Sequence, residues 1–195
     1  MSLLLYDLCC GGGGVARVAL EMGFRVVGVD KEPQPDYPGE FVLADALEPP
    51  LRPVADLVWV SPNCLGYSPI AFLRPELAKP REVNLFRPVA QSLGKHYVIE
   101  NAATCTDLID SVRLCGFMFG LPIIRHRRFE TSFLIPQLTH YPHKGKWYQS
   151  SGNLNASIKV VQEAMGLPGM RRESLVKAVP AAYTRFILSW YLTRG

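Results

Sequence analysis

The sequence predicts a doubly wound α/β domain, with a mostly parallel sheet of about seven strands and helices on both faces. Across residues 1–60, β-branched apolar runs alternate with a glycine-rich turn and one helical run, which is the strand–turn–helix–strand pattern of parallel sheets. The runs are almost continuously apolar, as expected for strands that are covered on both faces. A length of 195 residues suits a single domain over 1–195.

The predicted strands are short apolar runs bounded by turn-forming residues. They lie at 3–8, 25–30, 40–44, 56–61, 97–100, 112–115 and 128–134. Helical spacing predicts helices at 15–22 and near 83–93, and two more within 160–192, where GLPGM and AVP interrupt the pattern. Residues 136–155 are polar and aromatic without a period, so they form either a long loop or a small subdomain.

Composition excludes several classes of protein. Hydrophobic residues make up 48% of the chain and the net charge is only +4, which excludes disorder as the dominant state. No apolar run approaches the roughly 18 residues of a transmembrane helix. The N-terminus lacks a basic leader and a long apolar stretch, so we expect an intracellular protein. Five irregularly spaced cysteines argue against a disulfide framework.

The run YDLCCGGGG joins a predicted strand to a predicted helix. Glycines let the backbone turn sharply and let a ligand approach closely, and the helix N-terminus beyond them has free N–H groups. A bare tight turn is the alternative, but four consecutive glycines favour a nucleotide-type cofactor. The spacing does not match G-x-G-x-x-G, and the absence of G-K-[ST] excludes a P-loop.

Two aspartates follow neighbouring strands. Asp30 closes the second predicted strand, about 20 residues beyond the turn, where an acid can accept hydrogen bonds from ribose hydroxyls. Asp45 follows the third strand, where its carboxylate either accepts from an adenine amino group or caps a turn. Together with the glycine turn, they predict an adenosine-bearing cofactor at the carboxyl ends of the strands.

Six stretches of the chain resemble, in order, the motifs of the cytosine carbon-5 DNA methyltransferases. They are DLCCGGGG, SPNC at 61–64, VIENA at 98–102, GLPIIRHRRF at 120–129, AMGLPGM at 164–170 and KAVPAAYTRFI at 177–187. The similarity covers nearly the whole chain except 136–158, and it is greatest to the short versions seen in bacteriophage genomes.

The resemblance implies a Rossmann-like fold that uses S-adenosylmethionine and releases S-adenosylhomocysteine. It implies a monomer that acts on DNA, alone or assisted by another protein, in the cytoplasm of a bacterium or a phage-infected host cell. The implied cofactor-binding residues are Leu8, Cys9, Cys10, Gly11, Gly13, Asp30, Lys31, Asp45, Ala46 and Pro62.

The resemblance implies four catalytic residues, Cys64, Glu100, Asn101 and Arg127. Cys64 is the nucleophile that adds to carbon 6 of cytosine and makes carbon 5 reactive; the alternative is a buried structural thiol. Glu100 ends an apolar strand and supplies a proton to ring nitrogen 3, which requires a raised pKa. Asn101 fixes the loop that carries Glu100.

Basic residues predict contacts with the substrate. Arg125 and Arg127 lie on one face of a predicted strand, either as charges on a solvated edge or as contacts to base and phosphate. By resemblance, Arg127 is catalytic and touches the base, while Arg125 positions the base or its phosphate. The predicted phosphate-binding residues are Arg125, Arg128, Lys144 and Lys146. A basic and aromatic stretch that includes His140 and His143 contacts nucleic acid or is a plain surface loop.

The chain differs from the family's usual motifs at several positions. The usual Pro-Pro-Cys-Gln is Pro62-Asn63-Cys64-Leu65 here, and Ile123 replaces a glutamine. The long target-recognition region of full-length relatives is reduced to about 136–160, a short substrate-contacting loop or a vestige of that region. We therefore expect short or absent sequence selectivity.

Other interpretations stay open. The same chemistry on free cytosine nucleotides, and a catalytically silent DNA-binding relative, both fit the motifs. An amino-group methyltransferase fits less well, because Cys64 stands where an aromatic residue is needed and Glu100 is then idle. A nicotinamide oxidoreductase has only the turn and Asp30 in its favour.

Cysteine and histidine side chains are the usual ligands of protein-bound zinc. The candidates Cys105, Cys115, His126, His140 and His143 lack paired C-x-x-C spacing. On this basis no metal is expected.

Overall fold

The computed structural model describes residues 2–67, 79–150 and 154–194, and within them it forms one seven-stranded sheet. The strands are β1 (Leu4–Leu8), β2 (Arg25–Asp30), β3 (Glu40–Leu43), β4 (Ala55–Val60), β5 (Gly94–Ala102), β6 (Val112–Leu114) and β7 (Arg127–Thr131). Their order is β3-β2-β1-β4-β5-β7-β6. Only β7 runs antiparallel to its neighbours, so the predicted mostly parallel sheet is confirmed.

Five α-helices lie within the described residues. They are α1 (Gly14–Glu21), α2 (Val83–Leu93), α3 (Ile158–Met165), α4 (Arg172–Leu175) and α5 (Ala181–Thr193). The two helices predicted within 160–192 are α3 and α5, and the short α4 between them was not predicted. A helix of four residues has no apolar period from which it can be recognised.

Helices cover both faces of the sheet, which confirms the doubly wound architecture. On one face, Ala16 of α1 and Ile187 of α5 belong to the same buried cluster as Trp59 of β4. On the other face, Phe86 of α2 packs in a second cluster with Val58 of β4. Successive residues of β4 thus point into two different cores, which explains its continuously apolar sequence.

The strand order creates a topological switch next to β1. Leu8 at the end of β1 pairs with Val29 of β2 on one side and with Val60 of β4 on the other. The chain builds β1 to β3 outwards in one direction and then crosses to β4 in the other direction. Open α/β sheets bind ligands outside the carboxyl ends of the strands at such a point.

Residues 132–150 connect β7 to the region of α3 without a helix or strand of their own. A single bridge between Ile123 and Tyr148 joins them to the preceding segment, and the Tyr148 N–H donates to the carbonyl of Pro122 over 2.7 Å. This part of the predicted 136–160 region is therefore a loop, while 151–153 lie outside the described residues. None of the described helices is long and apolar enough to cross a bilayer.

Candidate active site

The glycine turn lies at the carboxyl end of β1 and leads directly into α1. Cys9, Gly11 and Gly13 have φ values of 56°, 48° and 74°, a left-handed conformation that is costly for residues with a Cβ. At Gly13 a Cβ would also collide with the Pro38 ring, whereas at Gly11 it would meet nothing within 4 Å. The backbone at Gly11 is thus open to an approaching ligand.

Asp30 is fixed against this turn. Its Oδ2 accepts a hydrogen bond from the Gly11 N–H over 2.9 Å, and its Oδ1 accepts from the Glu32 N–H over 3.0 Å. An ionised carboxylate offers about four acceptor positions, so Asp30 keeps capacity for further donors such as hydroxyls. Asp30 therefore joins the ends of β1 and β2 into one site.

The other predicted cofactor residues lie along the same edge of the sheet. Asp45 Oδ1 accepts from the Leu47 N–H over 2.9 Å, which is the turn-forming role that the sequence left open. Ala46 and Pro62 are buried, and Lys31 is exposed beside Asp30. Leu8 is fully buried in β1, so its backbone is the part that borders the site.

Cys64 lies in a tight turn that follows β4. The Asn63 side chain accepts from the Leu65 N–H over 2.9 Å, and the Cys64 carbonyl accepts from the Tyr67 N–H over 3.1 Å. Asn63 thus constrains the loop with a side-chain hydrogen bond, where the family's usual second proline would constrain it through its ring. Cys64 itself is half-buried.

The two cysteines of the glycine turn are in a different environment. Burial, followed by the charge of Asp30, raises the pKa of Cys9 far above its usual value. Burial, followed by Asp7, does the same to the pKa of Cys10. Both thiols therefore remain protonated and are poor nucleophiles.

Glu100 lies near the end of β5 and is only 8% exposed. Arg127 Nε lies 2.9 Å from Glu100 Oε1, but the N–H does not point at this oxygen, which accepts no hydrogen bond. Burial raises the pKa of Glu100, and the charges of Arg127 and Arg125 only partly oppose this effect. The carboxyl group therefore binds a proton more readily than an exposed glutamate does.

Asn101 connects the strand of Glu100 to the loop of Cys64. Its Nδ2 donates to the carbonyl oxygen of Pro62 over 3.2 Å, and its Oδ1 accepts from the Ala102 N–H over 2.8 Å. The sequence predicted that Asn101 fixes the loop of Glu100. Its side chain instead anchors the loop of Cys64 to β5.

Arg125 precedes β7 and is only 4% exposed. Its Nη2 donates to the carbonyls of Val176 and Lys177 over 3.0 and 2.8 Å, and its Nη1 donates to that of Ser150 over 3.4 Å. Burial, followed by the charge of Arg127, lowers the pKa of Arg125 to about 9. In this structure the side chain holds the C-terminal segment and is not open to a phosphate.

The other predicted phosphate ligands are more accessible. Lys144 and Lys146 are exposed on the loop, and the Lys146 ammonium lies 5.8 Å from the centre of the Tyr148 ring. Arg128 is half-buried and borders a shallow cleft with Arg113 and His140. These cations offer places for an anionic backbone, and their predicted contacts stay predictions.

A group of metal-ligating side chains was missed by sequence spacing. The ligand atoms of Cys115, His126, His140 and His143 all lie within 4.8 Å of one another, whereas Cys105 packs elsewhere, in the cluster on the α2 face. Burial, followed by the neighbouring His140, lowers the pKa of His126 to about 4. The sequence does contain one signal of this group, the His-x-x-His pair at His140 and His143. The other two members, Cys115 and His126, flank strands β6 and β7, which pair in antiparallel orientation.

Comparisons with known proteins identify the fold. No protein-family model matches the sequence, and no curated protein is significantly similar to it. Among solved structures, the Entamoeba histolytica methyltransferase EhMeth is similar with a TM-score of 0.66 and 11% sequence identity, covering 97% of this chain and 98% of that chain. The Dnmt2 methyltransferase of S. pombe is similar with a TM-score of 0.60 and 12% identity over the same shares of the two chains. The chain therefore has the Rossmann-like fold of these methyltransferases.

Proposed function

We propose that the protein transfers a methyl group from S-adenosylmethionine to carbon 5 of cytosine in DNA, through a covalent adduct at Cys64. The observation that carries this proposal is the hydrogen bond from Asn101 to Pro62. It ties the loop of a half-buried cysteine to the strand end of a buried glutamate whose pKa is raised. A nucleophile and a proton donor are the two groups that this reaction needs.

The cofactor fits the edge of the sheet next to these groups. Asp30 has acceptor capacity left for the ribose hydroxyls, and the backbone at Gly11 is open to a ligand. Asp45 and Ala46 border the position for the adenine ring. When bound, S-adenosylmethionine supplies an electrophilic methyl group on a sulfonium sulfur.

The residues of the chain act on the cytosine ring. The Cys64 thiolate forms a bond to carbon 6, while Glu100 gives a proton to nitrogen 3, so that carbon 5 becomes an enamine-type nucleophile. Carbon 5 then takes the methyl group, which leaves S-adenosylhomocysteine. Solvent water accepts the proton from carbon 5, the thiolate leaves carbon 6, and the proton on nitrogen 3 returns to Glu100, which restores the aromatic ring.

Arg127 is the residue that assists these reaction steps. Its guanidinium faces Glu100 from the neighbouring strand β7, and its resemblance to the family's second arginine assigns it a contact to the base. A target base inside a duplex cannot reach Cys64, so the nucleotide must be turned out of the stack.

Transfer of a labelled methyl group tests the proposal. Cys64→Ala is expected to abolish transfer while cofactor binding stays at the wild-type level, because Cys64 acts on the base. Cys105→Ala removes a buried cysteine that lies elsewhere and serves as the matched control, with activity retained. DNA that contains 5-fluorocytosine is expected to trap an adduct at Cys64, since fluorine cannot leave as the proton does.

A second candidate substrate is a free cytosine nucleotide. It is favoured by the short connection between β7 and α3, whose described part has no helix or strand with which to recognise a DNA sequence. Duplex DNA and deoxycytidine nucleotides are therefore compared in the same assay. Transfer to nucleotides alone supports this candidate, while cofactor binding without transfer to either substrate indicates a silent relative.

A further inference from the structure

Four ligand-type side chains converge at the β6–β7 edge of the sheet, apart from the groups proposed to act on cytosine. Cys115 directly follows β6, and His126 directly precedes β7. The two strands are antiparallel, with Leu114 opposite Arg127, so Cys115 and His126 are neighbours across the pair. His140 and His143 reach the same place from the loop at 132–150.

The ligand atoms are very close together. The Nε2 atoms of His126 and His140 are 3.0 Å apart, and those of His140 and His143 are 3.1 Å apart. Cys115 Sγ lies 3.3 Å from the Nε2 of His143. The four atoms thus come from two strand ends and one loop, and they all lie within 4.8 Å of one another.

Hydrogen bonds alone cannot satisfy this arrangement. An imidazole nitrogen carries either one N–H or one lone pair in the plane of its ring. Yet the Nε2 of His140 is approached by two ring nitrogens, and that of His143 by a nitrogen and a sulfur. Even when the tautomers alternate along these contacts, the single lone pair or single N–H of His140 and of His143 must serve two partners at once, whereas a central cation accepts one lone pair from each of the four atoms.

We propose that Cys115, His126, His140 and His143 bind a zinc ion. Three imidazoles and one thiolate are a ligand set that zinc takes in tetrahedral sites, with bonds of about 2.0–2.1 Å to nitrogen and about 2.3 Å to sulfur. Such bond lengths place neighbouring ligand atoms roughly 3.3–3.6 Å apart. The three contacts in the cluster are 3.0, 3.1 and 3.3 Å and all pairs lie within 4.8 Å, so small side-chain shifts bring the four atoms to these separations. Four protein ligands leave no position for water, so the site is structural.

The side chains around the four ligand atoms are compatible with a bound cation and its charge. The Phe117 ring packs with its centre 4.8 Å from that of His143 and shields one side. Arg113 is the nearby positive charge that acts on His126 and His140, but its side chain is exposed and screened by water. The thiolate of Cys115 offsets part of the metal charge.

The ion would fasten the loop at 132–150 to the edge of the sheet. It would also fix His126, which lies between Arg125 and Arg127 in the sequence. The charges of both arginines lower the pKa of Glu100. A metal bound at His126 would therefore hold in place the segment that carries these two arginines. This role is independent of which substrate the protein methylates.

Metal analysis of the purified full-length protein tests the proposal. Wild-type protein from zinc-containing medium is expected to hold equimolar zinc after dialysis, and Cys115→Ser and His143→Asn are expected to lose most of it. Cys105→Ser and His96→Asn change a cysteine and a histidine outside the cluster, and they are expected to keep the metal.

Cobalt titration of the metal-free wild type provides a readout that does not require the variants to fold. Tetrahedral cobalt with a thiolate ligand gives intense visible bands and a sulfur-to-metal charge-transfer band, and both are expected. A wild-type protein that holds no zinc and gives no such spectrum overturns the proposal. Cobalt binding without the thiolate band overturns the assignment of Cys115.

Discussion

The side chain of Asn101 donates a hydrogen bond to the carbonyl oxygen of Pro62 over 3.2 Å, which joins the loop after β4 to the end of β5. Asn101 is fully buried, so no water competes for this bond. The residue that follows Pro62 by two positions is Cys64, and the residue before Asn101 is Glu100. One amide therefore sets how the proposed nucleophile and proton donor lie relative to each other.

Asn101→Ala is expected to lower the single-turnover rate of methyl transfer by about 100-fold, because a displacement of about 1 Å in a reacting group costs this much. Affinity for the cofactor should stay at the wild-type level. Asn101→Asp keeps the oxygen that accepts from Ala102 but loses the donor to Pro62, so it should be nearly as slow. Wild-type rates in both variants would show that Asn101 does not position the loop.

Glu100→Gln is expected to slow methyl transfer by roughly 10²–10⁴-fold, the range for loss of a general acid. Glutamine fills the same space and can donate a weak hydrogen bond, but it has no proton to give. Binding of the cofactor and of DNA, measured separately, should change little. If the variant transfers methyl groups at the wild-type rate, another residue protonates the base.

The same variant tests the pKa of Glu100 through stability. Its pKa is raised by burial, so between the unfolded value of about 4.3 and the higher folded value the folded state binds more protons. Wild-type stability therefore falls as pH rises through this window. The stability of Glu100→Gln relative to wild type should rise over the same window and then level off. Urea titrations across pH measure this, and a constant difference would contradict it.

Much of this fold could be predicted because its central elements have clear patterns. The runs at Arg25–Asp30 and Val83–Leu93 were predicted with the boundaries that the structure gives, since one is continuously apolar and the other has helical spacing. Asp30 ends one parallel strand and Cys64 follows another. Because parallel strands all end at the same edge of the sheet, both residues lie at that edge. These are properties of local sequence that tertiary contacts do not alter.

The remainder depends on contacts between distant segments. Arg125 is held in its buried position by hydrogen bonds to the carbonyls of Val176 and Lys177, which lie 51 and 52 residues further along the chain. The cluster of Cys115 and the three histidines combines two strand ends with a loop that has no period. Spacing rules look for ligands close in sequence, so they cannot find ligands that a strand pair brings together.

Asp30→Ala is expected to weaken binding of S-adenosylhomocysteine by at least about tenfold. A hydrogen bond to a charged group contributes about 1.5–3 kcal/mol, and the substitution also removes the acceptor for the Gly11 N–H. The neighbouring exposed acid Glu32 provides the control Glu32→Ala, which should bind normally. Calorimetry measures both, and equal affinities would remove Asp30 from the cofactor site.

Arg87→Met is expected to destabilise the protein by about 3–5 kcal/mol, because it leaves Glu130 as an unpaired buried charge. Arg87 makes two bonds of 2.7 and 2.9 Å to this carboxylate, whose side chain is only 3% exposed. The exposed pair of Arg25 and Glu40 has similar geometry, but water screens it, so Arg25→Met should cost much less stability than Arg87→Met. Urea unfolding separates the two outcomes, and equal losses would contradict the role of burial.

Lys144→Ala combined with Lys146→Ala is expected to reduce the salt dependence of DNA binding. Each phosphate contact contributes about −0.9 to the log–log slope on duplex DNA, so loss of both should make the slope less negative by about 1.8. Lys95 lies at the start of β5, at the opposite edge of the sheet from the proposed site, and Lys95→Ala should leave the slope unchanged. Binding measured by fluorescence anisotropy over a salt series gives each slope.

Under the proposed function, the same loop is expected to limit how much DNA sequence the protein recognises. With a net charge of +4 and a recognition region limited to a loop, affinity should come from a few phosphate contacts and selectivity should be short or absent. Bisulfite mapping of DNA treated with the wild-type protein and S-adenosylmethionine measures this directly. Methylation confined to one long, strictly defined site would mean that side chains of this loop contact base edges. In that case the double lysine variant should methylate the same site while binding DNA more weakly.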